Sequence, residues 1–162
     1  MAADRIRGAS ALTASIAPVA AAFRSFMRQL GMDPEAVDWT ADAAMRRRLI
    51  EGGLPPTFWL RDAATLAVLE FGAPLMLFEH EAMPRDVELR SADSEGALHA
   101  AGDLVVAADG VPLSRLFGPP FPEFAVSRGT RRALVVSVRA PGVEDVFCRA
   151  ALERCADLLE LA

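Results

Sequence analysis

The sequence predicts an α+β fold: N-terminal helices, an antiparallel sheet of about five strands, and a C-terminal helix packed on that sheet. Three observations predict it. Leu12, Ile16, Val19, Phe23, Phe26 and Leu30 recur at spacings of three and four, an apolar seam on a helix. From Thr57 to Ala140 the chain breaks into short apolar segments separated by Gly, Pro, Asp and Ser, the rhythm of an antiparallel sheet. Residues 143–161 return to helical spacing, with Val143, Val146, Phe147, Ala151, Cys155, Leu158 and Leu159 on one stripe.

At 162 residues the chain is long enough to bury a core within a single domain. Its expected parts are a helical region over 1–53, the sheet over 57–140 and the final helix over 143–161. Pro18 sits inside the N-terminal seam, so the helix either kinks there or starts with Pro18 as its first residue. Gly31 is placed to stop it. The seam serves either core packing or docking onto a partner helix. In "DPEAVDW", Asp33 is placed as an N-cap with Pro34 at the first helical position. Thr40 repeats the logic for a helix stopped by Gly52, with Met45, Leu49 and Ile50 facing inward and Arg46, Arg47 and Arg48 fanning around it.

"LPP" at 54–56 closes the helical part. "TLAVLEF" reads equally as a strand or as a helix capped by Asp62 and stopped by Gly72. "DVELRSADSEGALHAAGD" reads as a hairpin looping at Ser94 and Glu95, with Leu89 opposite Ala100 and Val87 opposite Gly102. That register gathers Glu88, Arg90, His99 and Asp103 on one polar face. "GDLVVAADGVPLSRL" reads as strand, turn and return. Leu104 and Val106 point to the core, and Asp109–Gly110 forms the turn. "EFAVSRGTRRALVVSVRA" reads as a second hairpin around Arg128, Gly129 and Thr130.

Composition narrows the function classes. Every basic residue is Arg, and Lys, Asn and Tyr, whose codons are AT-rich, are missing altogether, which points to a GC-rich bacterial gene. Without Lys there is no Schiff-base or P-loop chemistry. A net charge of −5 argues against nucleic-acid binding. The apolar runs are far shorter than the roughly 20 residues of a membrane span. Cys148 and Cys155 stand seven apart on one helical face, about 10 Å along it, too far for a disulfide. Reduced core thiols, and an N-terminus without a Leu-rich centre, imply a cytoplasmic protein.

No catalytic constellation, metal site or cofactor motif is legible. "EHE" at 79–81 is not HExxH, and His80 would point away from Glu79 and Glu81 on a strand. Ser114 and Ser127 have no GxSxG context. Gly102, Asp103, Leu104, Val105, Val106, Asp109 and Gly110 are similar to a segment of peptide-binding PDZ domains. That family's Gly-rich carboxylate loop is missing upstream, and the match covers about a tenth of the chain. "ADG" is similarly placed in flavin-dependent aromatic hydroxylases, whose GxGxxG loop is also missing.

Two function classes remain. The first is a non-catalytic accessory, adaptor or chaperone-like protein, expected as a homodimer or with another protein, binding through Leu12, Ile16, Val19, Phe23, Phe26 and Leu30. The second is a small-molecule-binding protein or small enzyme with a sheet-and-helix pocket for an apolar carboxylic acid. Its support is the concentration of Phe58, Trp59, Phe71, Phe78, Phe117, Phe121 and Phe124 around the sheet, with Arg61, Arg90 or Arg132 to hold a carboxylate. Its ligand-binding residues are expected to be Arg90, His99, Phe78 and Trp59.

Overall fold

The computed structural model describes residues 18–38, 40, 43–44, 57–93 and 102–160. The chain is α+β, with antiparallel sheets totalling five strands and a C-terminal helix. Its contacts divide it into two compact units, residues 1–75 with 136–162, and residues 76–135. The second unit is thus an insertion within the sequence of the first.

The first unit is helical. Helix α1 (Pro18–Gln29) begins at Pro18, where the missing N–H is one of the donors that a helix start leaves unpaired. Val19, Ala20, Phe23 and Met27 form its buried stripe. Burying Phe23 and Met27 contributes about 1.5–3 kcal/mol each. Gly31 ends α1 at φ 74°; its N–H reaches the Arg28 carbonyl while the Met32 N–H reaches that of Met27. This is a Schellman stop, and it needs the left-handed backbone that glycine adopts without strain. Asp33 then caps a single 3₁₀ turn, Pro34–Ala36, through a 2.9 Å bond from the Glu35 N–H. Thr40 Oγ1 accepts from the Ala43 N–H at 3.1 Å, the expected cap. The rest of that expected helix, with Met45 to Ile50 and Gly52, lies outside the described residues.

Helix α2 (Trp59–Phe71) resolves the ambiguity of "TLAVLEF" and corrects the expected start of the sheet at Thr57. Its length settles the matter: 13 residues with Leu60, Ala63, Ala64, Ala67, Val68 and Leu69 buried cannot be a strand of ordinary length. Asp62 lies inside the helix rather than at its cap. Its Oδ1 accepts from the Thr57 N–H and hydroxyl at 3.0 and 2.8 Å, tying down the entering chain. Gly72 closes α2 at φ 75° with a 2.8 Å bond to the Val68 carbonyl. A Cβ on Gly72 would stand 3.4 Å from Val19 Cβ, so this glycine also lets α1 come close.

Helix α3 (Asp145–Glu160) packs along α2. Cys148, Ala151 and Cys155 are its buried residues, and they are small, as are Ala63, Ala64 and Ala67 on α2. Arg154 Nε and Glu70 Oε2 join the two helices at 2.9 Å. The stripe expected on α3 needs correction at one end: Val146 is 55% exposed and Phe147 36%. Both thiols are free and buried. Burial pushes the Cys155 thiol up from 9.0 to about 11.

The second unit is built of strands. β1 (Met76–Glu79) pairs with β5 (Ala133–Val136), while β2 (Val87–Ser91), β3 (Leu104–Ala108) and β4 (Val111–Arg115) form a separate ladder in the order β2-β3-β4. One sheet was expected; the described strands form two. The second expected hairpin is corrected accordingly. Residues 122–124 form a 3₁₀ turn rather than a strand, and β5 finds its partner in β1. The expected turn at 128–130 does form: Thr130 N–H reaches the Ser127 carbonyl at 3.2 Å, and Ser127 N–H reaches Thr130 Oγ1 at 2.8 Å. Buried Thr130 also donates to Glu79 Oε2 at 2.9 Å, fixing that turn against the end of β1.

The register of β2 on β3 also differs from expectation. Leu89 faces Val106 and Val87 faces Ala108, instead of Ala100 and Gly102. The reason lies in β3, where Val105, Val106, Ala107 and Ala108 are all buried. The central strand is apolar on both faces, so alternation on β3 carries no information about which side is core. The β3–β4 hairpin forms as expected. Asp109 and Gly110 have φ 48° and 78° and lie between paired Ala108 and Val111, the two-residue turn that positive φ at both positions allows.

Candidate functional site

The helical unit holds a sizeable concavity lined by described residues of that unit. It lies where the start of α1, the end of α2 and the start of α3 meet. Pro18, Val19, Ala22, Leu69, Phe71, Val143 and Phe147 supply apolar walls around about 420 Å³. Gly72 and Gly142, both at positive φ, also line it. This volume falls in the range of small-ligand sites.

Two carboxylates mark the lining, Glu70 and Glu144. Glu70 is neutralised by Arg154. Glu144 is exposed, and among the described residues no cation lines the groove. The groove is therefore apolar and faintly acidic. It favours neutral or cationic groups over anions.

The residues expected from sequence fall in both units. Of the helical seam, Val19 and Phe23 are buried at 8% and 2% exposure and serve the core of their own unit. Phe26 is half-buried, and Leu30 stands exposed at the helix end. Leu12 and Ile16 lie outside the described residues. Of the described seam residues, Val19 alone lines the groove.

The expected ligand-binding set is not assembled in one unit. Trp59, exposed on the first turn of α2, belongs to the helical unit, while Arg90 and fully buried Phe78 belong to the strand unit. His99 lies outside the described residues. Of the aromatics expected to cluster, Phe58, Trp59 and Phe71 fall in one unit, and Phe78, Phe117, Phe121 and Phe124 in the other.

Arg90 is a structural clamp. Nη1 donates to Asp93 Oδ2 at 2.8 Å and Nη2 to the Gly110 carbonyl at 3.0 Å. Nε stands 3.2 Å from Glu88 Oε1, at ion-pair distance but without hydrogen-bond alignment. Two carboxylates thus already answer its charge. Arg132 Nη1 is likewise occupied by the Glu81 carbonyl at 2.9 Å. Asp109 completes this backbone work: its Oδ1 accepts from the Arg85 and Asp86 N–H groups at 3.0 and 3.1 Å. The "ADG" segment therefore fixes the loop before β2 as well as making a turn.

Among the described residues no three His, Cys, Asp or Glu side chains converge as a metal cage. His80 Nδ1 contacts the Ala82 carbonyl. Ser114 is fully buried, and among the described residues its hydroxyl has no hydrogen-bond partner. No described helix is long and apolar enough to cross a membrane.

Sequence reading missed the groove because its walls come from three distant segments. The nearest signal was the pair Gly72 and Gly142, each ending or preceding a helix. Neither a family model, nor a curated protein, nor a solved structure matches the chain.

Proposed function

We propose that the protein is a non-catalytic accessory or adaptor protein, and that its helical unit binds another protein by receiving an apolar segment carrying a basic residue. The groove of about 420 Å³ carries this reading. Exposed Phe147 supplies an apolar anchor of the kind that interfaces concentrate near their centres. Glu144 supplies a site for the partner's cation. The reading moves the binding surface from the α1 seam, whose central residues are buried, to the mouth formed with α2 and α3.

A small apolar ligand would fill the same volume. A carboxylic acid fits it poorly, since among the described residues the lining offers Glu70 and Glu144 and no Arg. Native mass spectrometry of the protein purified from its own host separates these readings. A co-purifying protein that is lost from Phe147→Asp and kept by Val111→Asp, in the other unit, supports the proposal. A bound small-molecule mass lost from Phe147→Asp replaces it with the ligand reading. A partner that survives Phe147→Asp places binding elsewhere.

A further inference from the structure

The two edges of the three-stranded ladder are built differently. β4 carries Pro112, which has no N–H to offer, its pairing with β3 shifts at a bulge, and Pro120 bridges to Ser114 along its outer side. These are devices that keep foreign strands away from an edge. β2 has no proline and no bulge, and among the described residues it pairs with β3 alone.

The hydrogen bonds fix which groups β2 leaves unused. Asp109 N–H reaches the Asp86 carbonyl at 3.0 Å, and Ala92 N–H reaches the Asp103 carbonyl at 2.8 Å. Antiparallel pairing alternates, so residues 86, 88, 90 and 92 bond inward to β3. Val87, Leu89 and Ser91 then direct their N–H and C=O groups outward. Val87 and Leu89 are also 39% and 41% exposed, apolar side chains on the open edge of the ladder.

We infer that β2 is a self-pairing edge, joining a second copy of this chain antiparallel about a two-fold axis at Leu89. In that register Leu89 meets Leu89 of the second copy, Val87 meets Ser91, and Glu88 meets Arg90 twice. The three outward-facing residues on each strand exchange six backbone hydrogen bonds. The charges select the register. Only shifts of two residues keep outward groups opposite each other. One such shift sets Glu88 against Glu88, and the other sets Arg90 against Arg90, both repulsive for directly opposed residues. The contact is isologous, as a two-fold dimer requires. It is independent of the groove: its residues all lie in the strand unit.

Five residues a side make an interface below about 1,200 Å², so the dimer is of the weak, concentration-dependent kind. Sedimentation velocity on the full chain from about 10 μM to about 1 mM, a range that brackets weak association, tests it. The wild type is expected to shift from monomer to dimer across that range. Leu89→Lys opposes two ammonium groups at the axis and is expected to weaken dimerisation at least tenfold. Leu89→Pro removes the central N–H, which bonds to none of the described residues, and is expected to do the same with an unchanged far-ultraviolet circular dichroism spectrum. A wild type that stays monomeric throughout, or folded variants that dimerise as the wild type does, overturns the inference. Amide exchange at Leu89 in the wild type provides a check that needs no variant. It is expected to slow with rising concentration, and a concentration-independent rate overturns the pairing.

Discussion

The helical unit and the strand unit are held together by different means. In the helical unit, rows of small side chains lie along the packed faces of α2 and α3, and Phe23 and Met27 of α1 fill the core. Shape does most of the work, and glycines at helix ends let the chain turn. In the strand unit, side chains repeatedly bond to backbone: Asp109 to Arg85 and Asp86, Arg90 to Gly110, Arg132 to Glu81. A few polar atoms there fix the loops around short ladders. The lesson is that stability in the first unit should respond to volume and burial, and in the second to individual acceptors.

The largest effect is expected at Phe23. Phe23→Ala leaves a cavity in the helical core, and a loss of about 3–5 kcal/mol should appear in urea denaturation followed at 222 nm. A loss below about 1 kcal/mol would mean that the unit is not volume-limited.

Burial of Cys155 gives the next effect, and it depends on pH. The thiol titrates near 9.0 when unfolded and about 11 when folded. Between those values the unfolded chain has released a proton that the folded chain retains. Stability therefore falls as pH rises through that window, by about 2–3 kcal/mol in all, and is unaffected by this group below pH 9. The chain has no Lys and no Tyr, so few other groups titrate there. Denaturation midpoints at pH 8, 9, 10 and 11 should fall for the wild type and stay nearly level for Cys155→Ala.

In the strand unit, Asp109→Ala removes an acceptor of two N–H bonds and puts alanine at φ 48°. A loss of about 2 kcal/mol is expected, with Asp109→Asn recovering most of it because asparagine tolerates that backbone and keeps an acceptor. Thermal melts of both variants would show it. Equal losses would assign the effect to charge rather than to the turn.

The smallest effect marks the limit of the comparison. Ser114 is buried in the strand unit, and its hydroxyl has no partner among the described residues. Ser114→Ala is expected to be neutral or to stabilise by up to about 1 kcal/mol, measured by urea midpoint, because nothing is lost but a desolvated polar group. A clear destabilisation would reveal a partner for that hydroxyl.

Local signals were legible where a few neighbouring residues decide the outcome. Pro18 starts a helix, Gly31 and Gly72 stop helices, Asp33 and Thr40 cap turns, and Asp109–Gly110 makes a hairpin. Each depends on the conformational range of one residue or one short-range hydrogen bond. The seam at Val19 and Phe23 was legible as apolar, but its destination was not, because core and interface ask for the same side chains. The choice between strand and helix over 65–71 was open until the preceding Trp59–Ala64 joined it in one 13-residue helix.

The sequence by itself thus determined the class of the fold, the caps and turns, the separation of the two cysteines and the absence of lysine chemistry. Only the tertiary structure decided that β5 pairs with β1, that β2 slides past its expected register, and that Arg90 is held by its own strand and turn. It alone also brought Pro18, Phe71 and Phe147 to one groove. The physical reason is range. Caps and turns are settled by backbone sterics over a few residues, whereas strand partners and grooves depend on which distant apolar surfaces exclude water together, and the short apolar segments of this chain are compatible with several such arrangements.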